Sequence, residues 1–346
     1  MAEYLVTIGM PVYNVERYIR RSLESALAQT FPSIEFLICD DCGTDSSIDI
    51  VKELQQQHPR GKDIRIVRQE RNMGIGAGRN RMMDEAKGRY FYSMDADDII
   101  VPETIELLYR AINEYQAEVA YGSYERVYEH DGQIVGREPF PYPKRLFTAP
   151  DEYASFVYYE GVQCMNWNFL MNLEVVRRNG LRVTAVGHGY GEDFTYTIDL
   201  PTYITRAVLL PDVTYQYFNR TFSNRVKPKK QLSHKQLLLA IDAIDRKKRR
   251  DELKGKPYYA KRMAHLMMFD CSFACEMLGR RKSFDIPFTN REIRDVMWHP
   301  MTLSEILRAP AARVHNLFYW LLSKSWPWLC VLLLQPIIKR YGVKKH

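Results

Sequence analysis

Long apolar runs are missing from this 346-residue sequence. The longest, Trp326–Leu334, falls well short of the ~20 residues that a helix needs to span a bilayer. A mean hydropathy of −0.36 excludes a bundle of spanning helices. Glycine and proline are sparse, at 18 and 17 residues, which excludes collagen-like and low-complexity chains. Cysteine is scarce too: Cys39, Cys42, Cys164, Cys271, Cys275 and Cys330. No basic, apolar leader precedes the first strand, so free thiols in a reducing, cytoplasmic compartment are expected. The Cys39/Cys42 and Cys271/Cys275 pairs have zinc-like spacing but not a zinc knuckle's surroundings, so buried or incidental thiols are expected. Net charge is only +7, and it is unevenly spread. Residues 1–226 carry 24 Lys/Arg against 32 Asp/Glu, whereas residues 227–346 carry 25 against 10. That distribution argues against a uniformly basic nucleic-acid binder and suggests a catalytic body beside an anchoring or docking segment.

What is present is an alternation of apolar strands and amphipathic helices. Leu5–Gly9 is rich in β-branched residues and gives way to Pro11 and the turn-former Asn14. Val15–Gln29 then places Tyr18, Ile19, Leu23, Ala26 and Leu27 on one helical face. Ile34–Cys39 reads as a second strand, stopped by Asp40-Asp41, and Asp45 is placed to cap a helix through Leu54. A third strand, Ile64–Arg68, precedes the glycine-rich Asn72–Gly78 and a short helix to Ala86. Tyr90–Met94 is a fourth strand, closed by Asp95-Ala96-Asp97-Asp98, and Pro102 opens a helix to Tyr115. This order predicts an α/β chain, a mainly parallel sheet with helices on both faces. Ligands of such sheets bind beyond the carboxyl ends of the strands, where Tyr13-Asn14, Asp40-Asp41 and Asp95–Asp98 all fall.

Two common nucleotide signatures do not fit. There is no GxxxxGK[ST], and Gly74-Ile75-Gly76-Ala77-Gly78 has the wrong spacing and follows the third strand rather than the first. That run is either a pliable lead into a helix or a backbone approach to a phosphate, with Arg79 beside it. In extended chain Asp95 and Asp97 face one side and Asp98 the other. Converging carboxylates repel unless a cation or donors compensate, and oxygen ligands suit Mg²⁺ or Mn²⁺ completed by substrate phosphates. The plainer alternative is an acidic turn capping the helix at Pro102.

Taken together, Met10-Pro11-Val12-Tyr13-Asn14, Asp40-Asp41-Cys42-Gly43-Thr44-Asp45, Asn72-Met73-Gly74 with Arg79-Asn80, and Asp95-Ala96-Asp97-Asp98 resemble glycosyltransferase family two. The resemblance is strong over Leu5–Asp98 and continues more weakly through Trp167-Asn168, Glu192-Asp193 and Tyr217–Ser223. It implies a GT-A fold, an inverting mechanism, a nucleotide-diphospho-sugar donor such as a UDP-sugar, and Mn²⁺ or Mg²⁺. Carried onto matching positions, it implies that Pro11 and Tyr13 flank the nucleobase, with Asn14 in the same donor-binding set. Asp41 would accept a hydrogen bond from the base and Arg79 would lie near the diphosphate. Asp95 would reach the ribose or a metal-bound water, and Asp97 would bind the metal. Asp193 would be the general base, with Glu192 beside it as an acceptor contact. Cys42 and Gly43 stand where Gly and Ser are typical, and Gly78 where Ala is frequent. No Gln-x-x-Arg-Trp is present, which suits transfer of one sugar rather than processive synthesis.

Displacement at an anomeric carbon needs a base for the attacking hydroxyl and compensation for the leaving diphosphate. Gly187–Phe194, carrying Glu192 and Asp193, is the candidate for the base, against a plain helix cap. His188 is read as a diphosphate or metal contact against an exposed loop residue, and Trp167 as an acceptor platform against a buried aromatic. Arg220, Ser223 and Arg225 are read as a cationic flap over the diphosphate against a solvated loop.

The expected organisation is a GT-A domain over residues 1–226, with a nucleotide half (1–100) and an acceptor half (101–226), then a basic helical region, 227–346. Lys227–Arg262 holds 13 Lys/Arg and four Asp/Glu. There Leu232, Leu237, Leu238, Ile241 and Ile244 make a packed face and Arg246–Arg250 a solvated basic patch. Leu317–Ile338 is mostly apolar, with breaks expected at Pro327 and Pro336. Its tryptophans and the flanking Lys339, Arg340, Lys344 and Lys345 suit a segment (317–340) lying in an anionic membrane interface at the inner face of the cell membrane. The alternatives are core packing or a homo-oligomer interface. The expected activity is transfer of a single sugar to a saccharide or lipid-linked glycan acceptor in surface polysaccharide biosynthesis. A sugar-phosphate nucleotidyltransferase should instead show Gly-Gly-x-Gly-Thr-Arg where Pro11–Asn14 stands. A non-catalytic nucleotide-sugar binding or scaffold protein would tolerate loss of Asp193. No nucleic-acid partner is expected.

Overall fold

A computed structural model describes residues 4–160, 165–184, 192–220, 233–310 and 312–341, which fall into two compact units. The first takes in residues 4–153, 165–184 and 192–220, the second 154–160 and 233–341.

The first unit opens with alternating elements: β1 (Tyr4–Val12), α1 (Ile19–Leu27), β2 (Ile34–Asp40), α2 (Ser47–Gln57), β3 (Ile64–Arg68), α3 (Ile75–Glu85), β4 (Gly88–Ser93), β5 (Ile99–Ile100) and α4 (Thr104–Tyr115). It continues through β6 (Val119–His130), β7 (Gln133–Phe140), β8 (Arg145–Phe147), α5 (Glu152–Tyr159, shared with the second unit from Ala154), β9 (Phe169–Asn172), α6 (Leu173–Arg178), α7 (Glu192–Thr197) and β10 (Ala207–Arg220). One sheet runs β3-β2-β1-β4-β9-β6-β10-β5, with β7 on β6 and β8 on β10. The β3-β2-β1-β4 part is parallel, and β9 enters antiparallel between β4 and β6. Every residue of β2 is buried, as befits a strand covered on both faces.

The early expectations need small shifts. α1 begins at Ile19 rather than Val15, because the Val15 carbonyl first accepts from the Tyr18 and Ile19 amides in a turn. Asp45 holds the start of α2 by accepting from the Ser47 amide at 3.0 Å. α3 starts inside the glycine run, directly after Gly74, whose φ of +85° favours glycine.

The second unit is helical: α8 (His234–Lys248), α9 (Tyr259–Gly279), α10 (Asn290–Val296), α11 (Leu303–Arg308), α12 (Arg313–Lys324) and α13 (Pro327–Tyr341). α9 is its central helix, packed by α8, α10, α12 and α13. The reading of Arg246–Arg250 as one solvated patch is corrected here. Lys248 is fully buried and bonded to Asp270 at 2.7 Å and to the Trp298 carbonyl at 2.8 Å. Helical spacing turns this one member of the run inward, toward a carboxylate on α9. The expected break at Pro336 is likewise corrected, since Pro336 lies inside α13. The packed anchors Cys330 and Leu334 hold the helix across the lost backbone donor. Pro327 starts α13, where the missing N–H costs nothing.

Candidate active site

The carboxyl ends of β1, β2 and β4 bring the polar motifs together. After β1, Asn14 adopts φ +52° and its Oδ1 accepts from the Thr44 amide at 2.7 Å, tying the first loop to the second. After β2, Asp41 is buried, and its two oxygens accept from the Met73 and Gly74 amides at 2.7 and 2.9 Å. Each carboxylate oxygen carries two acceptor sites, so this bracing of the α3 entrance is compatible with one further donor. Cys42 sits at φ +59°, the left-handed conformation that explains why glycine suits this position. A Cβ at Gly78 would meet only Cys39 Sγ at 3.5 Å and Pro11 Cβ at 3.8 Å, so alanine would fit there. Tyr13 lies at the surface and Pro11 is half-buried.

The aspartate loop after β4 is fixed by its buried member. Asp98 accepts from the Tyr215 hydroxyl and the Phe218 amide, both at 2.8 Å. Tyr215 also accepts from the Asp95 amide at 3.2 Å, so β10 clamps the loop. Burial, together with the neighbouring charges of Asp97 and Asp95, pushes the Asp98 carboxyl well above its usual range. Asp95 and Asp97 are partly exposed, although residues 95–98 form a turn, closed by the Asp98 amide donating to the Asp95 carbonyl at 3.3 Å, rather than the extended chain expected. The roles of Tyr215 and Asp98 were not legible in the sequence, because the contact joins residues 117 positions apart.

Two arginines balance the carboxylates. Arg79, with 3% of its side chain exposed, donates to Asp95 at 2.8 Å and to Asp193 at 2.7 Å. Asp193 belongs to α7, 114 residues away, and half-exposes its carboxylate. Arg220 does not reach out as a flap. Its guanidinium bonds Asp97 at 3.0 Å and lies 4.1 Å from the Tyr18 ring centroid. The cation sits on Asp97 because β10 ends beside the aspartate loop it clamps.

Trp167 is buried, stacked 4.3 Å from Tyr215 and 5.5 Å from Tyr217, so its ring packs a wall rather than offering a platform. His188 and Arg225 lie outside the described residues, as do Ser223 and the side chain of Glu192. Burial pushes the Cys39 thiol up to about 12. Among the described residues no group of three or more His, Cys, Asp or Glu is disposed to hold a metal unaided. The hard oxygen donors of Asp97 and Asp95 do fit Mg²⁺ or Mn²⁺ where substrate phosphates complete the set.

A mainly parallel sheet with a clamped acidic loop beyond β4, and a distant carboxylate reaching back to the same arginine, is a GT-A-like arrangement. Residues 7–177 match the model of glycosyl transferase family 2, and the chain carries a domain of that family. It is 39% identical over 129 residues to glycosyltransferase GlyA of Streptococcus pneumoniae serotype 4, covering 37% of this chain and 18% of that protein. It is 32% identical over 146 residues to the UDP-Glc:alpha-D-GlcNAc-diphosphoundecaprenol beta-1,3-glucosyltransferase WfgD of Escherichia coli, covering 42% and 54%. The chain thus spans about a fifth to about half the length of these curated relatives. The crystal structure of Staphylococcus aureus TarS residues 1–349 in complex with UDP shares the fold, with a TM-score of 0.57 at 19% identity over 93% of this chain and 90% of that one.

Proposed function

We propose that the protein is a metal-dependent, inverting glycosyltransferase that moves one sugar from a UDP-sugar to a saccharide or lipid-linked glycan, in surface polysaccharide assembly at an anionic membrane face. The observation that carries this reading is Arg79 joining Asp95 of the donor loop to Asp193 of α7. Of its relatives, WfgD is named for a UDP-Glc donor and a diphosphoundecaprenol-linked acceptor, and TarS binds UDP. Pro11, Tyr13, Asn14 and Asp41 form the nucleoside end, and Arg79 and Asp95 the diphosphate end. Asp97 would hold a divalent ion, which would supply positive charge to the leaving diphosphate. Asp193 takes the proton of the attacking acceptor hydroxyl, while Arg79 holds its carboxylate in place. A carboxylate on the acceptor side, separate from the donor loop, is what an inverting displacement needs.

Asp97→Asn tests the metal assignment. Calorimetric binding of UDP with Mn²⁺ should weaken by about tenfold or more, while binding in chelator should not change. Equal Mn²⁺-supported affinity in the two proteins removes Asp97 as the ligand.

The membrane face is carried by α12 and α13. No helix among the described residues is long and apolar enough to cross a membrane. Cys330 and Leu334 turn inward, whereas Trp328 and Leu332 expose the opposite stripe. Trp326 and Trp328 are 69% and 55% exposed, and Phe318, Leu321 and Leu333 on α12 and α13 are exposed as well. Lys339 and Arg340 in the last turn supply the charge that anionic headgroups attract. Trp326→Ser/Trp328→Ser should lower co-sedimentation with phosphatidylglycerol vesicles by about tenfold, with little binding of either protein to phosphatidylcholine. Unchanged co-sedimentation, or a stable dimer with no vesicle binding, assigns the face elsewhere.

A further inference from the structure

The second unit contains a cavity of about 430 Å³ that the donor chemistry does not use. Its volume is ordinary for a small-ligand site. It lies between the turn before α9 and the end of α11, with Tyr159 along one side. Lys254, Lys256 and Arg308 line it, against a single acidic lining residue, Glu305. The Glu305 carboxylate is already engaged, accepting from the Thr302 amide and hydroxyl in the capping box of α11. Lys256 and Arg308 are exposed, and Lys254 shares its charge with Asp251 at 2.8 Å.

Two further features give the cavity the character of a binding site rather than a surface dent. The Tyr259 hydroxyl is buried in its lining with no hydrogen-bond partner. A polar group left so costs free energy unless a ligand or water satisfies it. Tyr159 presents a half-exposed ring, steadied by a 3.3 Å bond from its hydroxyl to the Pro257 carbonyl and by Lys261 lying 5.8 Å from the ring centroid.

We infer that this cavity is an accessory site for an acidic saccharide, a sugar segment bearing carboxylate or phosphate groups. The cations take the charge and the flat ring of Tyr159 takes an apolar sugar face. A lone phosphate would use the cations but leave the ring and most of the volume unfilled. The choice of a saccharide rests on the glycosyltransferase reading, while the preference for negative charge rests on the lining alone. The site would hold a stretch of acidic glycan on the same chain that extends or modifies it.

The test is calorimetry on the full chain with an oligogalacturonide hexamer (carboxylates), a glycerol-phosphate oligomer (phosphates) and neutral maltohexaose. At least one acidic oligomer should bind about tenfold or more tightly than maltohexaose. Lys256→Glu/Arg308→Glu and, separately, Tyr159→Ala should each weaken that binding by about tenfold. All three positions are exposed, so the variants should fold, and UDP binding should stay within about twofold of the parent. The two acidic arms separate a carboxylate-bearing from a phosphate-bearing ligand. Equal binding of charged and neutral oligomers, no binding of either acidic oligomer, unaltered affinity in the charge-reversal variant, or capture by phosphatidylglycerol vesicles alone would each overturn the inference. A protein that binds the acidic oligomer but no UDP-sugar refutes the glycosyltransferase reading and leaves the cavity assignment standing. One that binds UDP-sugar but no acidic oligomer does the reverse.

Discussion

Asp193→Asn should leave UDP-sugar affinity within about twofold and lower the rate of sugar transfer by ~10²–10⁴-fold, the range ordinary for loss of a positioned base. The asparagine oxygen can still accept from Arg79 Nη1, the 2.7 Å bond that ties α7 to the donor loop, so local geometry should persist. What is lost is an anionic oxygen able to receive the acceptor hydroxyl proton. This separates chemistry from scaffolding. Were Asp193 only a brace for Arg79, the neutral acceptor would do nearly as well and turnover would stay near wild type. Single-turnover transfer beside calorimetric donor binding makes the measurement. Wild-type turnover in the variant removes Asp193 from the chemistry.

Lys248→Met should destabilise the protein by about 3–5 kcal/mol in urea unfolding followed by tryptophan fluorescence. Lys248 and Asp270 are both fully buried, and Lys248 also pairs with the partly exposed Asp245 at 2.6 Å. Burial already pushes the Asp270 carboxyl up to about 7 with the lysine beside it. Without the ammonium, the carboxylate must be held charged away from water or take up a proton. The Trp298 carbonyl also loses its donor at 2.8 Å. Lys248→Met/Asp270→Leu should recover most of the loss, because the unpaired buried charge, rather than the missing ion pair, carries the penalty. A single-variant change below about 1 kcal/mol, the size of a surface pair, would show that water reaches this site.

Much of the first unit was legible because its signals are local. Asp98 was expected to face away from Asp95 and Asp97 and is indeed the buried one, although a turn rather than the pleat sets that facing. The start of α3 inside the glycine run was less legible, since Gly74 leaves its backbone free to take φ +85°. Trp167 shows the same limit on the scale of a side chain. The resemblance pointed to Trp167 as an acceptor platform, but only the stacked neighbours Tyr215 and Tyr217 decide that it is wall. The basic run of α8 read as uniform, yet one lysine in it is buried beside Asp270, 22 residues on.

The amino-acid order alone determined the alternation of strands and helices, the placing of the acidic motifs beyond strand ends, and the kind of chemistry they suit. Those follow from hydrophobic period and from residues adjacent in the chain. Tertiary structure decided which charges neutralise which. Arg79 joins Asp95 to Asp193, Arg220 settles on Asp97, and Tyr215 clamps Asp98, in each case across many residues of intervening chain. A charge finds its partner through space, under the cost of leaving it unpaired where water is excluded, and no local pattern encodes that meeting.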